Sequence, residues 1–286
     1  MKIIDVNSRP PHPALVVGRP YALNVARSSR ARRGIPADPA FEARSMDLFF
    51  AQQADVGVVR TLIHAAARGP GPSPNGVVEE IPNEFVAALC AQHQQLSGVA
   101  AFDPIGNPNA PDQAKRAFEA GFVAAALMPG CMPDAAKADD HRLFAFYELC
   151  TSLGRPVFIR NGGNAGPDMT YADPLHIDRL AAAFPQLKIV VSYAGWPFAQ
   201  QMMGVVFRRQ NVWVCPDHYF PGMPGEQDYL AALRAWGQDR FVFSFYYPMA
   251  AQGQRLDQIL SLDLPASVLD RFLYGNAAEL FQLPGL

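Results

Sequence analysis

The chain is poor in cysteine and in charge, and it has no apolar run long enough to cross a bilayer. Its four cysteines, Cys90, Cys131, Cys150 and Cys215, contain no CxxC pair, so neither a disulfide framework nor a cysteine-type zinc site is expected. Charged residues make up 17% of the 286, with 24 Lys plus Arg against 26 Asp plus Glu and a formal net charge of −2. That balance gives no field to draw in nucleic acid or an anionic membrane, and neither partner is expected. The apolar runs fall short of the roughly 18 residues of a membrane span. The opening run to Val6 is soon broken by Arg9 and Pro10, too short for the apolar core of a signal peptide, and a cytoplasmic location is expected. Half of the residues are apolar, which excludes disorder and supplies a large core.

What is present is a repeating alternation. Short β-branched runs bounded by Gly, Pro or Asn fall at Lys2 to Val6, Val56 to Ile63, Ser97 to Phe102, Phe122 to Met128, Pro156 to Arg160, Lys188 to Tyr193, Val212 to Cys215 and Phe241 to Phe245. Between them lie stretches of helical period at Phe41 to Gln53, Glu84 to Gln95, Asp112 to Ala120, His141 to Leu153, Leu175 to Phe184, Phe198 to Arg209 and Gln227 to Trp236, with a last one over Ala266 to Phe281. Eight β-α units predict an α/β protein, a single (β/α)8 TIM barrel over residues 1–286. A doubly wound open sheet is the alternative. Against it, no GxGxxG follows a strand and no GxxxxGK[ST] occurs, so the phosphate-cradling loops of open-sheet nucleotide enzymes are missing.

Barrel chemistry sits where strands end, which directs attention to the residues just after each one. Two long connections, 10–39 and 65–82, fall on that face. The first carries Arg19, Arg27, Arg30, Arg32 and Arg33, able to close over an anionic substrate or simply to lie in solvent. The second contains the Pro- and Gly-rich run from Gly69 to Gly76.

Four strand-end segments resemble the amidohydrolase-2 branch of the metal-dependent amidohydrolase superfamily: Ile3 to Pro10, Gly154 to Arg160, Phe184 to Pro197, and Tyr274 to Phe281. They span nearly the whole chain in the expected order. The resemblance implies a (β/α)8 barrel among hydrolases, decarboxylases, lactonases and hydratases of small carboxylated or aromatic substrates. It also exposes departures. Where the family ends its first strand in Asp-x-His-x-His, this chain has Asn7 and Arg9; the family's histidines after strands five and six are Arg160 and Tyr193, and its aspartate after strand eight is Tyr246. The family's divalent metal would need about three N, S or O donors, and a guanidinium has no lone pair to offer. No metal and no other cofactor is therefore expected. Arg9 and Arg160 can instead fix a carboxylate or a developing oxyanion, and Tyr193 and Tyr246 can donate to it or, with lowered pKa values, act as acid or base. The competing reading is a decayed site in which these side chains only fill space.

The six histidines, His12, His64, His93, His141, His176 and His218, show no HxH or HExxH spacing, so no second metal site is expected. His64 and His218 follow strands two and seven and are candidate proton carriers, His218 with Asp217 beside it. Cys215 with His218 would make a thiol dyad, although a strand cysteine is more often core. Asn161-Gly162-Gly163-Asn164 can turn amides toward an anion or form a plain tight turn.

The functional expectation is a metal-independent hydrolase or lyase (decarboxylase or isomerase) for a small anionic, carboxylated, aromatic or enolic substrate. Arg160, Tyr193, Tyr246, His218 and His64 would carry the chemistry, and Asn7, Arg9, Arg160, Asn161 and Tyr247 the binding. The alternative is a catalytically silent barrel that binds a small acidic ligand or a partner subunit. A homo-oligomer is compatible with either.

Overall fold

The computed structural model describes residues 1–12, 27–28, 30–31, 34–67, 80–283 and 285–286. Seven parallel strands follow one another round the sheet in chain order: β1 (Ile3–Ser8), β2 (Val58–His64), β3 (Leu96–Ala101), β4 (Ala124–Leu127), β5 (Val157–Arg160), β6 (Ile189–Ser192) and β7 (Val212–Cys215). Helices alternate with them: α1 (Pro39–Ala43) and α2 (Met46–Val56), then α3 (Asn83–Gln92), α4 (Ala110–Glu119), α5 (Phe144–Ser152), α6 (Pro174–Ala183), α7 (Ala199–Arg208) and α8 (Glu226–Arg234). After the last sheet segment come α9 (Gln252–Leu260), α10 (Ala266–Asp270) and α11 (Asn276–Phe281).

The sheet curls into a TIM barrel, with an eighth segment closing it. Val242 N–H donates to Val214 O at 3.0 Å, and Val6 N–H donates to Phe243 O at 2.9 Å. The segment 241–245 thus joins β7 to β1, yet it is not the regular strand its sequence predicts. Side chains replace its ladder bonds: Phe245 N–H donates to the Asp5 carboxylate at 3.3 Å, and Ser244 Oγ donates to Asn7 O at 2.8 Å. A register shift between Asp5 and Ser8 accompanies the exchange.

Two other predicted elements are broken. The single helix expected over Phe41 to Gln53 is split at Arg44, which takes a left-handed φ of 55°, and Ser45 then caps α2 by accepting from Leu48 N–H at 3.2 Å. The last helical stretch carries a π-helical turn over Arg271–Gly275. Helix α9 was not expected at all: Gly253, Gln254 and Asp257 dilute its apolar face to Leu256 and Ile259.

Alternation along the strands separates two cores. Ile4, Val6, Leu62, Val99, Phe158, Val190, Cys215 and Val242 fill the barrel interior, while Ile3, Ile63, Ile159, Val191, Val214 and Phe243 face the helices. Phe281 of α11 closes the interior, stacked on Phe158 at 5.4 Å. Each such side chain contributes about 1.5–3 kcal/mol on burial, so the interior is a packed floor beneath the strand ends and the mouth lies above it.

Of the two long connections, 13–26, 29, 32–33 and 68–79 lie outside the described residues, and with them Arg19, Arg32, Arg33 and the run from Gly69 to Gly76. The second connection starts from a two-residue bridge, Ala66 pairing antiparallel with Ile81.

Candidate active site

Parity decides which strand-end side chains reach the mouth. His64 stands two residues beyond Leu62 and Arg160 two beyond Phe158, so both continue the inward row. Tyr193 follows Ser192 and by parity belongs to the outward row. Its backbone instead adopts φ 68°, followed by Ala194 at φ 46°, and this left-handed turn carries the phenol back over the opening. Tyr246 at φ 54° after the eighth segment and Asp217 at φ 53° after β7 are left-handed as well, although both already continue an inward row. Left-handed backbone costs roughly 1–2 kcal/mol per residue outside glycine. Four such residues around one rim form a cluster of strain of the kind that marks functional sites.

The two phenols meet, with Tyr193 Oη 2.5 Å from Tyr246 Oη. The Arg160 guanidinium lies 5.4 Å from the Tyr193 ring centroid, within cation–π range. His218 stacks on Tyr246 at 4.7 Å, and beyond it Tyr219 stacks on Trp196 at 4.6 Å. Burial raises the Tyr193 phenol well above its usual range. That reverses the expectation of a lowered pKa: Tyr193 stays protonated and serves as a donor. Of the two phenolic protons one lies in the mutual bond, so the pair presents one outward O–H, polarised by the bond behind it.

Below this rim is a saturated polar layer. Asp5 accepts from Ser8 Oγ at 2.5 Å, from Asn7 N–H at 3.3 Å and from Phe245 N–H. Asp217 accepts from Asn7 Nδ2 at 3.0 Å, from Tyr193 N–H at 2.9 Å and from the Cys215 thiol at 3.4 Å. Burial outweighs all these donors and raises both carboxyls to about 6. The Asp217 contact with Tyr193 N–H holds the turn that aims the phenol. Arg255 of α9 donates to Asp217 O and Phe220 O from beneath.

The predicted residues divide between these two layers. Arg160, Tyr193, Tyr246 and His218 come together at the rim. Arg9 and His64 share the corner toward β1 and β2: burial, with the charges of Arg160 and Arg9 adding to it, lowers the His64 imidazole to about 3. Asn7 is buried, its amide engaged by Asp217. Asn161 is buried as well and donates to Tyr171 O at 3.3 Å. Tyr247, expected to bind substrate, turns to the opposite side: it packs on Phe41 and Phe49 and donates to Asp38 at 2.8 Å. Asp217 does not orient His218, because its oxygens face Asn7, Tyr193 and Cys215. Cys215 is buried with its pKa raised well above the usual value, which keeps it a thiol and removes the nucleophilic reading. The lid expectation fails for the two described arginines: Arg30 is buried on the carbonyls of Pro36 and Pro248, and Arg27 pairs with Glu42 on the outside.

Sequence reasoning missed Asp5, Ser8, Ser244 and Arg255 as parts of the site's support. Arg255 had a signal, a cation at an apolar position of the helix, one residue before Leu256.

The donor set at the mouth does not fit a divalent cation. Two guanidiniums have nothing to coordinate with and add positive charge, while both carboxylates are directed at N–H, O–H and S–H donors. Among the described residues no group of three or more His, Cys, Asp or Glu side chains is placed to hold a metal.

Charged and phenolic groups are thus gathered at the C-terminal mouth of a parallel barrel, the end at which enzymes of that fold place their chemistry. The chain belongs to the Amidohydrolase family, whose model matches residues 6–283. It is similar to an uncharacterised TIM-barrel protein of Bordetella bronchiseptica, at 28% identity and TM-score 0.88 over 99% of both chains. It also shares its fold with a dihydroxybenzoic acid decarboxylase of Polaromonas sp. JS666, solved with manganese and the inhibitor 2-nitroresorcinol, at 18% identity and TM-score 0.69 over 100% of this chain and 98% of that one. A probable 2-pyrone-4,6-dicarboxylic acid hydrolase of Acinetobacter baumannii, solved with citric acid, has 12% identity and TM-score 0.67 over 99% of this chain and 100% of its own. No curated protein sequence matches the chain. No helix of the described residues is long and apolar enough to cross a membrane.

Proposed function

We propose that the protein is an enzyme acting on a small aromatic carboxylate, with Arg160 and Arg9 receiving the anionic group and the Tyr193–Tyr246 pair donating to it. The observation that carries this is the phenol pair itself, 2.5 Å apart beside a guanidinium and set on two left-handed turns. Guanidinium and phenol are both donors, so an anion is the complementary ligand. The stacked rings of His218, Tyr246, Tyr219 and Trp196 suit a flat one.

Lyase chemistry is favoured over hydrolysis. A hydrolase needs a base for its water, and with Tyr193 held protonated and His64 weakly basic only His218 is left at this rim for that task. In decarboxylation the bond to the carboxylate breaks, CO2 leaves, and the carbon takes a proton that the phenol pair or His218 can deliver. The fold relatives named above include such a decarboxylase, which supports the class of substrate.

The misfit of the donor set supports a reaction run without a metal. The test is turnover of a panel of hydroxybenzoates and pyrone dicarboxylates, followed by CO2 release and product chromatography, with elemental analysis of the same preparation. Decarboxylation that survives chelation and is lost in Arg160→Ala is the expected result. Zinc or manganese near stoichiometry, with activity that follows it, overturns the metal-free reading. Tight carboxylate binding without turnover of any acid would instead identify a silent binding barrel.

A further inference from the structure

His64 is the last residue of β2, and its ring enters the barrel interior above Leu62. Its Nε2 lies 2.8 Å from Val6 O. A carbonyl oxygen only accepts, so Nε2 carries the proton and Nδ1 of the neutral ring keeps a lone pair. Several features hold the ring neutral. It is buried, Phe158 meets it edge to face at 4.6 Å, and the positive charges of Arg160 and Arg9 disfavour a second proton. Nδ1 has no hydrogen-bond partner among the described residues. His64 is therefore a fixed acceptor near two guanidiniums.

We propose that His64 is a specificity-determining residue: its Nδ1 accepts a hydrogen bond from a hydroxyl or amino group that the substrate carries beside its anionic group. The inference rests on the reading that Arg160 and Arg9 receive that anionic group, and it adds which neighbour the group must have. Once a bound ligand covers Nδ1, an acceptor left unpaired there penalises every ligand without the donor, and an alkylated oxygen adds lone-pair repulsion to the loss. The phenol pair cannot make this distinction, because it faces the ligand with a proton.

The experiment is calorimetric titration of the full chain with benzoate, 2-hydroxybenzoate, 2-aminobenzoate and 2-methoxybenzoate, in the wild type and in His64→Phe, His64→Asn and Arg160→Ala. The wild type is expected to prefer the hydroxy and amino acids over the methoxy acid by about tenfold or more, the scale of one buried hydrogen bond. His64→Phe should bring that ratio close to one without weakening benzoate binding, since it removes the unpaired acceptor, and His64→Asn, which keeps an acceptor oxygen, should retain part of the preference. A wild-type ratio near one, or a ratio that His64→Phe leaves intact, overturns the proposal. Should His64→Phe fail to fold, the 15N resonance of Nδ1 in the wild type decides. It should move on adding 2-hydroxybenzoate and hold still with 2-methoxybenzoate, and equal movement with both overturns the proposal. Arg160→Ala reports on the underlying reading: unchanged benzoate affinity there removes the arginine site and leaves the donor preference to stand or fall on its own ratio. Failure of the wild type to bind any of the four acids overturns both.

Discussion

The two sides of the barrel mouth use similar residue types in opposite ways. On the side where the eighth segment meets β1, Asp5, Ser8, Asn7, Ser244 and Tyr247 are buried and bonded to one another or to Asp38. On the side of β5, β6 and β7, Arg160, Tyr193, Tyr246 and His218 touch through ring stacking and one phenolic bond. The comparison of Tyr247 with its neighbour Tyr246 is the sharpest. One phenol is locked to Asp38 among Phe41 and Phe49, the other stands at the rim on a left-handed backbone. A saturated network fixes geometry and has little left for a ligand, whereas a strained rim with an outward donor has both position and capacity.

Four measurements test this contrast. The largest effect is on the pH dependence of stability. Asp5 and Asp217 rise on folding from 3.8 to about 6, so between those pH values the fold holds protons that the unfolded chain has released. Stability from this source is present at low pH and falls as pH rises through that window, by roughly 1.4 kcal/mol for each pKa unit of each group as an upper limit. Denaturant unfolding across pH 4 to 7 should show a slope that the Asp5→Asn, Asp217→Asn double variant flattens; an unchanged slope refutes it.

Next is Asp5→Ala, which orphans Ser8 Oγ and two backbone N–H groups and should destabilise by about 2–4 kcal/mol in the same assay. Loss below about 1 kcal/mol would mean that the layer is not the structural one. Gly162→Ala tests the seam between the two sides. A Cβ there would stand 2.7 Å from Tyr193 Cβ, so about 1–3 kcal/mol of strain is expected together with displacement of the phenol, visible as a change in tyrosine absorbance near the pair. The smallest change in stability belongs to Tyr246→Phe, within about 1 kcal/mol of wild type, while carboxylate affinity should drop roughly tenfold. A variant that unfolds easily but binds normally would reverse the assignment of the two sides.

Much of the fold was legible because it repeats. Period-two apolar runs alternating with period-3.6 stretches gave seven strands in their places, and the strand ends singled out His64 and His218. The resemblance pointed to Asn7, Arg9, Arg160, Tyr193 and Tyr246, of which Asn7 lies in the buried polar layer with its amide on Asp217. What was not legible is who bonds whom. Tyr246 and Tyr247 look equivalent in sequence, and Asp217 beside His218 reads as a dyad until its oxygens are found on Asn7 and Tyr193. The irregular eighth segment was hidden for the same reason, since Phe241 to Phe245 has strand composition but loses its ladder to Asp5 and Ser244.

The barrel was readable from the chain alone, because local periodicity is carried within every segment, while the guanidinium and phenol standing where the family has metal-binding residue types came from the resemblance. Only the tertiary structure decided that Tyr193 meets Tyr246 across 53 residues of chain, that Tyr247 belongs to the scaffold, and that His64 is held neutral. Those facts depend on backbone turns with positive φ, on burial and on charges from other strands, all of which exist only once the barrel has closed.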